Sequence, residues 1–244
     1  MTTYARIAGW GKYLPARVMS NAELEALVET SDAWIRSRSG IGKRRIAAAD
    51  ETTATMGTHA AREALATAGL EARDLDLIVV ATSTPDHYAY PSSACLIQAA
   101  LGAQRAGAFD LSAACSGFVY ALVTAAQFIQ TGAYRHVLVV GSDVNSRILD
   151  WRDRTTCVLF GDGAGAVVLA ASPQPGGLLA FELGADGTGA EHLLVPAGGS
   201  RTPPSHETVE RREHYIRMNG PEVYRFSTQI VPAVIQRLCR QAAV

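Results

Sequence analysis

Cys115 is the residue whose setting points first to chemistry. It lies in FDLSAACSGFVYALVTAAQFIQTG (109–132), where a short apolar run ending at Asp110 and Leu111 gives way to small residues. A long apolar pattern of helical spacing follows, and Gly132 stands where a terminating C′ glycine belongs. Small neighbours let the backbone turn tightly and leave the sulfur room. In the first turn of such a helix, unpaired N–H groups and the dipole favour thiolate over thiol. Cys115 is then a nucleophile that needs no adjacent cation. On these residues alone a packed core cysteine is the alternative, since free cysteine is among the most buried residue types.

Two further patterns invite a ligand. Ser31 and Asp32 cap a short helical segment, 33–38, that ends at Gly40 and places Trp34 and Arg38 at i, i+4 on one face. A tryptophan beside an arginine is a platform for a planar anion; the same pair also describes a surface cation–π contact. The second pattern, FGDGAG at 160–165, has GxGxG spacing, no following helix and no phosphate-binding lysine, so a Rossmann or P-loop reading is rejected. Three glycines before an apolar strand read instead as room for a close backbone approach. Of the six histidines, His87 lies in a loop after a strand, and the others fall in contexts that suggest structural or solvated roles.

The elements that must position these residues alternate. Residues 4–10 read as a strand followed by a GKYLP turn, and Ser20 with Glu23 forms a capping box for a helix through about Val28. A helix over 53–68 ends at Gly69, and the nearly continuous apolar run 75–83 reads as a strand buried on both faces. Pro91 opens a helix over 92–101, and 136–143 is a second buried strand. This order argues for an α/β sheet with helices on both faces. Strands at 166–172 and 178–183, a long polar excursion over 184–215 and a helix over 222–243 containing Pro232 complete the reading.

The bulk numbers are consistent with that class. The chain has 244 residues, 48% hydrophobic and 18% charged, and a net charge of −1, which favours neither a nucleic-acid partner nor an anionic membrane surface. The longest apolar runs are far too short to span a bilayer. Four cysteines without CxxC or metal-ligand spacing fit reduced thiols in a cytoplasmic protein, with no metal expected.

Eight stretches, in order, resemble the β-ketoacyl-acyl-carrier-protein synthase III family, condensing enzymes of the thiolase fold. They are TSDAWIRSRSGI (30–41), ETTATMG (51–57), LIVVATS (77–83), YPSSAC (90–95), FDLSAACSGFVYAL (109–122), VLVVGSD (137–143), FGDGAGAVVLAAS (160–172) and MNGPEVYRFS (218–227). The resemblance implies a layered α-β-α-β-α fold, with residues 1–172 its first half and 173–244 the beginning of its second. It implies that Cys115 takes the acyl group of an acyl-CoA, with its own N–H in an oxyanion hole, before malonyl-acyl-carrier protein loses carbon dioxide and condenses with it. Trp34 then stacks on the CoA adenine with Arg154 on the opposite face, and Thr30 and Arg38 contact base and phosphates. Gly220 and Tyr224 line the pantetheine tunnel, where Pro221 stands at a position expected to be polar. Tyr90 reaches into the partner's acyl pocket of a homodimer. The substrates are acyl-CoA and acyl carrier protein, and no cofactor is implied.

The family's His-Gln-Ala-Asn motif and its later asparagine do not occur in these residues. The sequence-based expectation is therefore an N-terminal portion of a condensing enzyme, its second half only begun. An acyl-CoA-dependent acyltransferase that does not condense, and a non-catalytic partner of a full-length subunit, are the alternatives. Other thiolase-fold enzymes share the cysteine but match the quoted motifs less well.

Overall fold

The computed structural model describes residues 3–243. Its elements in chain order are β1 (Tyr4–Tyr13), β2 (Arg17–Ser20), α1 (Asn21–Glu25), α2 (Asp32–Ser39), β3 (Lys43–Ile46), α3 (Thr53–Ala68), β4 (Leu77–Ala81), α4 (Ser93–Leu101), β5 (Gly107–Leu111), α5 (Gly117–Gln130), β6 (His136–Val144), β7 (Asp162–Ser172), β8 (Leu193–Leu194), α6 (His206–Glu210), β9 (Arg217–Met218) and α7 (Gly220–Ala242). The chain divides into two units, one of residues 1–17, 45–144 and 162–181, the other of 18–44, 145–161 and 182–244.

The first unit is a five-stranded sheet in the order β1-β7-β6-β4-β5. Strand β4 runs parallel to β5 and β6, while β7 is antiparallel to both β6 and β1. Every residue of β4 is buried. Its alternation sends Ile78 and Val80 into one core with α3 and α4, and Leu77, Val79 and Ala81 into another with α5. The double-faced sheet expected from the sequence is present.

Helix ends follow the expected chemistry. Thr52, Ser92 and Ser31 accept the first-turn N–H groups of α3, α4 and α2, and Gly69, Gly102 and Gly40 close them in the left-handed region. The Ser20–Glu23 capping box forms, but its helix stops at Glu25, short of Val28.

Three sequence expectations are corrected. Strand β1 runs on through the proposed turn to Tyr13, because Gly11 and Lys12 keep their partners Ala166 and Gly165. Gly163 and Gly165 lie inside β7, and an added Cβ on Gly165 would meet nothing within 4 Å. The approach expected there is present at Gly163, where a Cβ would lie 3.4 Å from the Tyr13 carbonyl oxygen, and the tightest one is at Gly9 and Gly11, where a Cβ would collide with the carbonyl oxygens of Ala64 and Ala60 on α3. Residues 178–183 form no strand: Leu179, Phe181 and Leu183 alternate outward as in a strand, but no described neighbour supplies a hydrogen-bonded ladder.

The second unit holds α1, α2, α6 and α7, with the excursion over 184–215 partly organised by a 3₁₀ stretch (Gly187–His192), α6 and the β8–β9 pair. Pro232 is accommodated within α7. No helix among the described residues is long and apolar enough to cross a membrane.

The β1–α3 contact yields a contrast. Gly9→Val is expected to cost about 1–3 kcal/mol or more through overpacking, whereas Gly165→Ala stays within about 0.5 kcal/mol. Urea unfolding of the two variants measures the difference.

Candidate active site

In the sheet unit, Cys115 sits in a 3₁₀ turn, Ala114–Ser116, one residue ahead of the α5 N-cap and not within the helix's first turn. Ala114 has φ +46°, in the left-handed region that residues with a Cβ seldom occupy. That residue breaks the backbone path and sets the cysteine apart from the helix. Such conformations cost about 1–3 kcal/mol and concentrate at functional sites. The turn is held by Ser116 N–H donating to Ala113 and Gly117 N–H donating to Ala114. A Cβ on Gly117 would lie 3.3 Å from Ala81 Cβ, and one on Gly141 would lie 3.0 Å from Phe118, so the start of α5 is pressed onto β4 and β6. Cys115 is exposed, and the fully buried cysteine is Cys157, whose thiol burial pushes up.

Carboxylates at the strand ends hold the surrounding loops. Asp110 accepts from the N–H groups of Ser93 and Ala94 at 2.8 Å each, fixing the start of α4. Asp143 accepts from Thr82 Oγ1, Ser83 N–H and Thr84 Oγ1. Tyr90 stands on the loop before α4 and is 86% exposed. His87 is exposed as well, while His59 stacks on Tyr13 and His136 contacts the Asp74 carbonyl.

The second unit contains a cleft of about 1220 Å³. Trp34 and Arg38 of α2 form part of it, Asp153, Arg154 and Leu159 another part, and Met218, Gly220 and Tyr224 a third. Five of the residues singled out in the sequence therefore meet: Trp34, Arg38, Arg154, Gly220 and Tyr224. Pro221 lines the cleft too. Thr30 is not among the lining residues; its Oγ1 is buried without a hydrogen-bond partner among the described residues. The cation over Trp34 is Arg154, its Cζ 5.0 Å from the ring centroid, and not Arg38. Arg154 also donates to the Glu29 carbonyl at 2.7 Å.

Residues that sequence reasoning passed over hold these walls. The β8–β9 pairing, Leu193 with Met218, brings Met218 to the cleft. Arg212 donates from Nε to Asp150 Oδ2 at 2.8 Å and lies over Tyr215. Its carbonyl accepts from Arg217, the residue that starts β9. The sequence offers no signal for this pairing, since 62 positions separate the partners.

The hydrogen bonds from Arg212 pull the Asp150 carboxyl down from its ordinary 3.8 to about 2. A depressed carboxylate stabilises the fold above its unfolded pKa, and that contribution disappears as pH falls through the folded value. Asp150→Asn is expected to lower the urea midpoint at pH 7, and its deficit relative to wild type is expected to vanish between about pH 4 and pH 2. A deficit independent of pH would count against the ion pair.

Comparison with known proteins adds a second line of evidence. Residues 109–187 match the family model for 3-oxoacyl-[acyl-carrier-protein (ACP)] synthase III. A β-ketoacyl-[acyl-carrier-protein] synthase III of Caldanaerobacter subterraneus subsp. tengcongensis is 52% identical over 227 residues, covering 93% of this chain and 68% of that protein. The Syntrophomonas wolfei enzyme of that name is 50% identical, covering 98% and 72%. The crystal structure of the Aquifex aeolicus 3-oxoacyl-[acyl-carrier-protein] synthase III superposes with a TM-score of 0.88 at 44% identity, covering 98% of this chain and 72% of that one.

Proposed function

The chain belongs to the β-ketoacyl-acyl-carrier-protein synthase III family, condensing acyltransferases of fatty acid biosynthesis with a thiolase-like fold, and we propose the following roles for its residues. Cys115 Sγ attacks the thioester carbonyl of an acyl-CoA, the C–S bond to CoA breaks, and the CoA thiolate leaves with the acyl group on Cys115. The negative charge on the carbonyl oxygen during that step is met by backbone N–H groups at the Cys115 turn. In the family's condensation, malonyl-acyl-carrier protein then loses carbon dioxide and its carbanion attacks the acyl-cysteine, releasing the sulfur and giving a β-ketoacyl-carrier protein; none of the residues assigned a role takes part in the decarboxylation. Both substrates bring their own activated bond, so the scheme calls for no cofactor.

The cleft takes the CoA. The observation that carries this reading is the convergence of Trp34, Arg38, Arg154, Gly220 and Tyr224 on one cavity from segments far apart in the chain. Trp34 stacks on the adenine with Arg154 on its opposite face, Arg38 meets phosphate charge, and Gly220 with Tyr224 flanks the pantetheine arm. Thr30, buried and outside the cleft lining, takes no part in this reading. A ring sandwiched between Trp34 and Arg154 needs about 3.5 Å on each side. The 5.0 Å separation is too small for that, so Arg154 swings outward as the base enters. Tyr90, exposed on its loop, contributes to the acyl pocket of a second copy in a homodimer.

Incubation with acetyl-CoA is expected to add one acetyl group to the intact protein, and Cys115→Ser to abolish it. Trp34→Ala is expected to raise the KM for acyl-CoA about tenfold, since stacking on an aromatic ring contributes about 1–3 kcal/mol per base. Acetylation that persists in Cys115→Ser would overturn the nucleophile, and an unchanged KM would overturn the adenine platform.

A further inference from the structure

Arg44, on β3, is only 6% exposed, and it lies in the same unit as the cleft but is not one of its lining residues. Its guanidinium is spent on oxygens from different segments. Nη1 donates to Asn21 Oδ1 at 2.9 Å and to the Met19 carbonyl at 3.4 Å; Nη2 donates to the Val158 carbonyl at 3.1 Å. Its Nε is buried without a hydrogen-bond partner among the described residues. Burial works against this charge, an effect that Cys157 and Glu23 offset in part, and holding a desolvated cation is unfavourable compared with an apolar side chain of similar volume. A purely space-filling role does not call for an arginine here.

The partners of those bonds lead to two walls of the cleft. Asn21 passes the contact on, its Nδ2 donating to Asp32 Oδ1 and to the Ile41 carbonyl, both at 2.8 Å. Asp32 is the first residue of α2, the helix that presents Trp34 and Arg38, and Ile41 follows that helix's Gly40 cap. So both ends of α2 are tied through Asn21 to Arg44. On the other side, Val158 lines the cleft itself and belongs to the 153–159 segment that carries Arg154. One planar fork therefore spans the base of the helix bearing Trp34 and the loop bearing the arginine that covers it. A lysine, with a single ammonium point, does not reproduce that fork.

We propose that Arg44 is a positioning residue for the CoA-binding cleft: by bridging Asn21 and the Val158 carbonyl it fixes the spacing of Trp34 and Arg38 relative to Arg154. The proposal rests on the assignment of the cleft to CoA. Its effect is on substrate capture. Loss of the fork lets the two walls drift, and displacements of about 1 Å in a binding array suffice to reduce its effect by one to two orders of magnitude.

The test measures binding of free CoA by calorimetry, together with KM for acetyl-CoA and for malonyl-acyl-carrier protein, in Arg44→Met, Arg44→Lys and Asp32→Ala, beside Trp34→Ala and Arg154→Ala. Arg44→Met is expected to weaken CoA binding about tenfold or more, and Arg44→Lys to restore it only in part. Asp32, half exposed, also pairs with Arg36, so Arg36→Ala serves as the control: Asp32→Ala is expected to weaken CoA binding about threefold by freeing Asn21, and Arg36→Ala to leave it within about twofold. The KM for acetyl-CoA should rise while that for malonyl-acyl-carrier protein moves less than about twofold, a split that general loss of stability does not produce. CoA affinity within about twofold of wild type in both Arg44 variants, with Trp34→Ala impaired, overturns the positioning role and leaves the cleft assignment standing. Unchanged affinity in Trp34→Ala and Arg154→Ala overturns both. If the Arg44 variants do not fold, Asp32→Ala measured against Arg36→Ala decides: weaker CoA binding in Asp32→Ala than in Arg36→Ala supports the bridge, and equal binding overturns it.

Discussion

The constraint on which the sheet unit depends is the burial of β4 on both faces. A strand of five consecutive apolar residues satisfies its buried backbone groups only by pairing on both edges, and hides its side chains only between two layers. Each such side chain contributes about 1.5–3 kcal/mol on burial. The pairing of β4 with β5 and β6 puts both neighbours parallel to it, so their carboxyl ends emerge together. Ala81, Leu111 and Gly141 share that edge by register, and the chain runs from Leu111 into the Cys115 turn within four residues. Cys115 is thus placed by the most deeply buried part of the unit and exposed by the turn that leaves it.

The cleft unit works by different means. Beside buried Leu24, Ile35 and Leu149, polar links tie its remote segments: Arg44 to Val158, Arg154 to Glu29, Arg212 to Asp150. Several of these end on carbonyl oxygens, which hold backbone directly and leave the remaining side chains of each segment available to line the cavity. The same device appears in the sheet unit with signs reversed, where Asp110 and Asp143 accept from N–H groups of neighbouring loops. In both, charged residues organise irregular chain where periodic structure ends.

What could be read from the sequence follows this division. The sheet, α3, α4 and α2 were legible because their information is local: alternation along β4, serine or threonine caps at one end and glycine at the other. Motif likeness carried Trp34, Arg154, Gly220 and Tyr224 to one cleft, although no spacing in the chain brings them together. Arg44 and Arg212 escaped notice because isolated arginines in KRRI and ERREH give no local sign of burial. Residues 178–183 were misread because alternation reports an extended backbone and says nothing of a neighbouring ladder. Gly9 and Gly11 were overlooked in favour of 161–165, since glycine composition alone does not show which backbone has a helix above it.

The assembly of the cleft from three stretches of chain, 18–44, 145–161 and 182–244, bears on the order in which the native state forms. Its links close loops of 125 residues between Glu29 and Arg154 and 114 between Arg44 and Val158. Loops of that size carry a high closure entropy and contribute to slow folding. Interactions made after the folding transition state leave the folding rate unaltered and govern unfolding instead. A ligand bound between Trp34 and Arg154 would add its own affinity to these long-range links and so oppose unfolding.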